Sequence, residues 1–192
     1  MYNYHVLRVS GQAGVFVSII DQDLLDLIGV SNIKDIFVDG THSLSEGNTQ
    51  VVVAMALTGS TRCRAVPIGY FLVTGHTEAT YTWVFERLRN CGINPERLRV
   101  DWESALHSAS ASIFPEADQI GCRFHTTQSW KRKYCSLNPG SRTNSKEWKH
   151  IKKLLDRMIE AESIHLLVIC LVEFVGCLNL FHFVCVFAGN CD

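Results

Sequence analysis

The chain has 192 residues, 47% of them hydrophobic and 19% charged, with a formal net charge of −1. That length suits one globular domain with a real core, and the composition excludes a disordered or collagen-like chain. Near-neutrality points to no partner, so the placement of the charges matters more.

Residues 123–157 carry ten Lys/Arg against two acids, residues 1–122 carry eight against thirteen, and no basic residue follows Arg157. A basic segment beside an acidic one fits a phosphate-backbone contact surface, and fits a solvated helix face equally well. The eight cysteines (63, 91, 122, 135, 170, 177, 185 and 191) show no close CxxC pairing. A chain of this size needs no disulfide scaffold, so a reducing, intracellular setting is expected. No basic stretch precedes a short apolar one at the N-terminus, so no secretory signal is expected.

Taken in order, residues 5–20 predict two short strands around Ser10–Gly11, and residues 22–28 a short helix. Three apolar runs follow, Ile36–Asp39, Gln50–Leu57 and Ala65–Val73, separated by polar turns that contain glycine. Short connections between such runs favour an antiparallel meander. The period then becomes helical: Tyr81, Val84, Phe85 and Leu88 share a face, Thr77 is available as N-cap, and Gly92 lies just past the end. Arg97–Asp101 predicts a strand. The next helix has Trp102, Ala105, Leu106, Ala109 and Ile113 on its inner stripe, and Pro115 stops it. Ala117–Cys122 predicts another strand and His125–Tyr134 a helix. A last helix from Asn144, with Glu147 completing a capping box, has Trp148, Ile151, Leu155 and Met158 on one face. The order predicts an α/β fold around a mixed sheet, three antiparallel strands followed by alternating helix and strand, with flanking helices.

Residues 164–189 differ in kind, being almost wholly apolar without Lys or Arg. Three readings stay open. The segment is long enough for a transmembrane span, against which its internal Glu173, Asn179, His165 and His182 count. It could be a core helix or strand pair. It could also be translated non-coding sequence with no structural purpose.

Asp39 and Asp101 each end an apolar strand, IFVD and LRVD. A carboxylate there is desolvated on one side and open on the other. It can hold Mg²⁺ or Mn²⁺ through oxygen and leave positions for water and phosphate. Two such ions about 4 Å apart can stabilise both oxygens of an in-line phosphoryl displacement, and a third carboxylate normally completes the site. Ordinary structural roles compete: Asp-Gly is a common hairpin dipeptide, and an acid after a strand can cap the next helix.

Several ordered motifs narrow the choice. They are Asp39-Gly40-Thr41; Val66, Pro67, Tyr70 and Leu72 in a VP-x-x-Y-x-L strand; Thr77, Glu78 and Tyr81; and Asp101, Glu103 and Ala105 in D-x-E-x-A. The last is Phe114, Pro115, Ala117, Gly121, Cys122, Phe124, His125 and Gln128 in FP-x-A…GC-x-FH-x-x-Q. Over residues 34–135 this set resembles the Mutator-like (MULE) transposase domain.

The resemblance implies an RNase H-like fold and a DDE-type nuclease and strand transferase. Such a protein cuts DNA with metal-activated water and joins the freed 3′-hydroxyl to target DNA. Asp39 and Asp101 would then be catalytic and the first two metal-binding carboxylates, with Mg²⁺ or Mn²⁺ as cofactor. Cys122 and His125 match the family's C-x-x-H motif, which lies between the second aspartate and the final glutamate. By themselves they are too few for a zinc site. They read either as positioning residues or as a buried strand-end cysteine and a helix-start histidine. His125, Lys131, Arg132 and Lys133 are the substrate-binding candidates. Trp130 beside the last three could stack on DNA, or be a buried aromatic at a helix end.

For the third carboxylate the candidates are Glu147, Glu160, Glu162 and Glu173, and none stands in the expected context. Three segments are therefore expected: residues 1–33 packing on the core, an incomplete transposase core over 34–163, and the apolar tail at 164–192. The expected function is that of a truncated or relict MULE-type transposase acting on DNA in the nucleus. The alternative is a non-catalytic DNA- or protein-binding module on the same scaffold. A homo-oligomer is open, and membrane association is expected only if the tail inserts.

Overall fold

The computed structural model describes residues 14–41, 48–58, 64–137 and 146–160. They divide into two compact units, with the boundary between Cys122 and Arg123.

In the first unit, β1 (Phe16–Ile20) leads into α1 (Gln22–Ile28), which Asp21 caps by accepting from the Leu24 amide. Three strands follow: β2 (Asp35–Thr41), β3 (Thr49–Thr58) and β4 (Arg64–Thr74). They form the expected antiparallel meander. Val, Ile, Phe and Ala alternate along them with half-exposed positions, the period-2 pattern of a sheet with one buried face. The register of β3 and β4 shifts between Ala54 and Met55, which skips Ile68 and sets Pro67 opposite Met55. An irregular position suits a residue with no N–H to give to the ladder.

α2 (Glu78–Asn90), β5 (Arg97–Val100), α3 (Ser104–Ile113) and β6 (Asp118–Gly121) complete the unit. The sheet order is β1-β4-β3-β2-β5-β6, with β5 parallel to β2 and β6 parallel to β5. β1 pairs antiparallel with β4 and forms the edge of the sheet. The mixed α/β architecture expected from the sequence is therefore present. The expected strand before Ser10 lies outside the described residues.

Thr77 caps α2 as anticipated, accepting from the Thr80 amide at 3.2 Å. Gly92, at φ 84°, ends the helix in a conformation that side chains disfavour. α2 buries Tyr81, Trp83, Val84, Phe85 and Leu88. Phe85 meets Phe114 edge to face at 6.0 Å. The core lies between α2, α3 and the sheet face that carries Ile36, Val38, Val52, Ala54, Phe71, Leu98 and Val100.

Trp102 departs from expectation. It lies before α3 rather than on its inner stripe, and it is 60% exposed. Its amide donates to Asp101 Oδ1 at 2.7 Å, a local turn that delays the helix to Ser104 and takes Trp102 out of the helical period.

The second unit comprises α4 (Arg123–Leu137) and α5 (Lys146–Ile159). Trp148, Ile151 and Leu155 of α5 pack with Trp130, Tyr134 and Met158. Arg123 pairs with Asp156 at 3.2 Å and Glu160 at 2.5 Å. The proposed cap at Asn144 and Glu147 lies outside what is described, as does the tail at 164–192. Among the described residues no helix is long and apolar enough to cross a membrane.

Candidate functional site

The parallel pairing of β2 and β5 sets the geometry. Ile36 is level with Leu98 and Phe37 with Arg99. Continued two residues past the last pair, that register would set Asp39 opposite Asp101, the residue that follows β5. Val38 is buried, so alternation within β2 turns Asp39 away from the core face, whereas Asp101 follows the last residue of β5 and its charge reaches the Tyr81 hydroxyl. Adjacent strands run about 4.8 Å apart, close enough for two carboxylates to share a ligand.

Neither aspartate performs the ordinary structural role open to it. Asp39 and Gly40 lie inside β2, paired with Val53 and Val52, and are no hairpin turn. Asp101 does not cap α3, whose N-cap is Glu103.

Glu103 is itself unusual, because its side chain makes no capping bond to the helix it begins. Its Oε2 instead accepts from the Tyr81 hydroxyl at 2.8 Å. That hydroxyl accepts from Gln50 Nε2 at 3.1 Å, and Gln50 also donates to the Gly75 carbonyl at 2.8 Å. His76 Nδ1 lies 3.3 Å from the same hydroxyl and 3.8 Å from Glu103 Oε1. Gln50 is fully buried, so its amide needs these partners; leaving one unsatisfied would cost about 1–3 kcal/mol. Burial pushes the Tyr81 hydroxyl well above its ordinary value; the Gln50 bond opposes this, while Glu103 and the Asp101 charge add to it. The hydroxyl therefore stays protonated, and able to donate, at neutral pH.

This chain of contacts explains one glycine. A Cβ on Gly40 would lie 2.8 Å from Gln50 Oε1. Gln50 is pinned at both ends and cannot swing aside cheaply. Gly40→Ala is expected to cost about 1–3 kcal/mol, the range for overpacking a filled interior. The check is a lower urea midpoint at unchanged m-value.

Sequence reasoning places Tyr81 in the core and Glu103 in a motif, and gives neither Gln50 nor His76 a role. The only available signal is a glutamate in a poor capping position two residues after Asp101. Tyr81 and His76 meet it, and Gln50 meets Tyr81, only in three dimensions.

The remaining sequence candidates stand on α4. Lys131, Arg132 and Lys133 are exposed, and His125 is half-buried with its ring 5.3 Å from that of Phe124. Trp130 packs against the Trp148 cluster, so the buried-aromatic alternative fits it better than the stacking one. Glu160 is exposed and paired with Arg123. The side chain of Glu147, and all of Glu162 and Glu173, lie outside the described residues. Among those described, no group of three or more His, Cys, Asp or Glu residues is disposed to hold a metal ion.

The first unit is thus a mixed α/β domain in which Asp39 lies on β2 and Asp101 just past the end of β5, the strand parallel to it. Residues 36–129 match the family model of the MULE transposase domain, and the chain carries that domain. Its function is transposase-related. No curated protein matches the chain.

Proposed function

We propose that this domain is an RNase H-like core that cleaves DNA and transfers strands, with Asp39 and Asp101 holding a divalent cation. The observation that carries the reading is the parallel pairing of β2 and β5, whose register, continued past Phe37 and Arg99, would set these two residues opposite each other. An antiparallel meander extended by parallel strands on one side supports the RNase H-like assignment. The donor chemistry fits as well. Mg²⁺ and Mn²⁺ favour oxygen ligands, and Mg²⁺ is commonly held by one or two carboxylates together with substrate phosphates.

The chemistry such a cation supplies is activation of water at neutral pH and relief of charge on the phosphoryl oxygens. This chain's own residues would prepare the edge. Asp101 is oriented by the Trp102 amide. The Tyr81 bond keeps Glu103 in a fixed place beside it, and the buried Gln50 ties that network to β3. The test is Mn²⁺-dependent nicking of labelled duplex DNA by the full chain, beside an Asp39→Asn, Asp101→Asn double variant. Nicking that disappears in the double variant supports the reading. Absence of nicking by the folded parent chain, with folding checked by circular dichroism, overturns it.

A second reading rests on the exposed Lys131, Arg132 and Lys133 of α4: a module that binds DNA without cutting it. Replacing all three with alanine is expected to weaken DNA binding and to lower the slope of log K against log salt by about 3, near 0.9 for each phosphate that is no longer neutralised. An unchanged slope would remove these side chains from the interface.

A further inference from the structure

We infer that Trp102 is a stacking platform for an unpaired nucleobase of the DNA strand that reaches the Asp39–Asp101 edge. The inference rests on the DNA reading above and adds the part of the nucleotide that is recognised.

A large aromatic side chain that is 60% exposed usually belongs to a loose turn, and Trp102 does not. Its indole lies parallel to the His107 ring, with an interplanar angle of 16° and centroids 6.0 Å apart. It also lies directly against the backbone of Gly121, so closely that a Cβ there would overlap the ring. The glycine leaves the space the indole occupies. Its backbone N–H is fixed on Asp101, so the ring is anchored at its base as well as along its side. A ring held on this many sides, with most of its surface still in water, is ordered before any partner arrives. Little side-chain freedom then remains to be lost on binding.

Position and charge select the partner. Trp102 stands between Asp101 and Glu103, just past the end of β5, the strand parallel to the one that carries Asp39. An acidic edge repels a phosphate backbone wherever no cation intervenes. The face of a base carries no net charge and stacks on an indole whatever its identity. In an intact duplex that face is already occupied by neighbouring bases. The fitting ligand is therefore a base freed at a nick or strand end, or one turned out of the helix.

The test uses the full chain in Ca²⁺ and two labelled nicked duplexes. One carries a single unpaired thymine at the nick, and the other an abasic residue in its place. The parent chain is expected to bind the thymine duplex roughly thirtyfold more tightly, the middle of the range for base–aromatic stacking. Trp102→Ala is expected to abolish that preference, while Trp102→Phe keeps part of it. A preference undiminished in a folded Trp102→Ala chain overturns the platform. So does equal binding of both duplexes by the parent, an outcome that leaves the DNA reading standing. If the parent binds neither duplex, the DNA reading fails, and the platform falls with it.

Discussion

Asparagine at either Asp39 or Asp101 alone is expected to lower Mn²⁺-dependent DNA nicking by roughly 10³-fold, the equivalent of several kcal/mol of charge stabilisation. Asparagine keeps the shape of the side chain and removes the anionic oxygen, so the strand ends should stay as they are. On the proposed reading the two carboxylates serve one ligand, as the β2–β5 register continued past Phe37 and Arg99 would have it. Residues that act as a unit are strongly non-additive: removing either costs about as much as removing both. The double variant should therefore be little slower than either single one. Rates that fall by independent factors, multiplying in the double variant, would mean that the two aspartates do not share a ligand. The measurement is a single-turnover nicking rate at saturating Mn²⁺ for all four chains.

The second large effect concerns the support beneath the site. Phe85→Ala is expected to destabilise the protein by about 3–5 kcal/mol, the usual cost of deleting a buried aromatic ring. Phe85 is fully buried and meets Phe114 edge to face at 6.0 Å, joining the middle of α2 to the end of α3. Those helices supply Tyr81 and Glu103, whose contact crosses from α2 to the start of α3. A cavity at Phe85 should loosen that crossing as well as the core. Urea unfolding should show the loss as a fall in midpoint at nearly constant m-value. A loss below about 1 kcal/mol would mean that the site collapses around the gap, and that Phe85 does not brace the two helices.

Much of this architecture is readable from residue order. The three apolar runs that form β2, β3 and β4 alternate cleanly, and short polar turns separate them, so an antiparallel meander is the natural outcome. The helix predicted over 22–28 forms as Gln22–Ile28 because Asp21 stands where a cap is needed. The edge placement of β1 is not readable. Phe16–Ile20 pairs with β4 some fifty residues away, and no local pattern records a partner that distant. Trp102 is misplaced by periodicity, which assumes that a helix begins where its apolar stripe begins. Here the Asp101–Trp102 turn intervenes.

The candidate site is half legible. Asp39 and Asp101 announce themselves, since each is an acid closing an apolar strand. The parallel register of β2 and β5, which would set them opposite each other, is not displayed by the sequence. The Gln50–Tyr81–Glu103 network is hidden for a related reason. A glutamine in a strand, a tyrosine on a helix face and a glutamate before a helix each have an unremarkable local explanation. Only their convergence in a buried setting makes them a unit.

The central claim is that Asp39 and Asp101 together bind a divalent cation, and direct titration of Mn²⁺ into the full chain tests it without requiring turnover. The account predicts saturable binding in the parent chain, at least roughly tenfold weaker in Asp39→Asn and in Asp101→Asn. Binding of unchanged affinity in a folded double variant would contradict it.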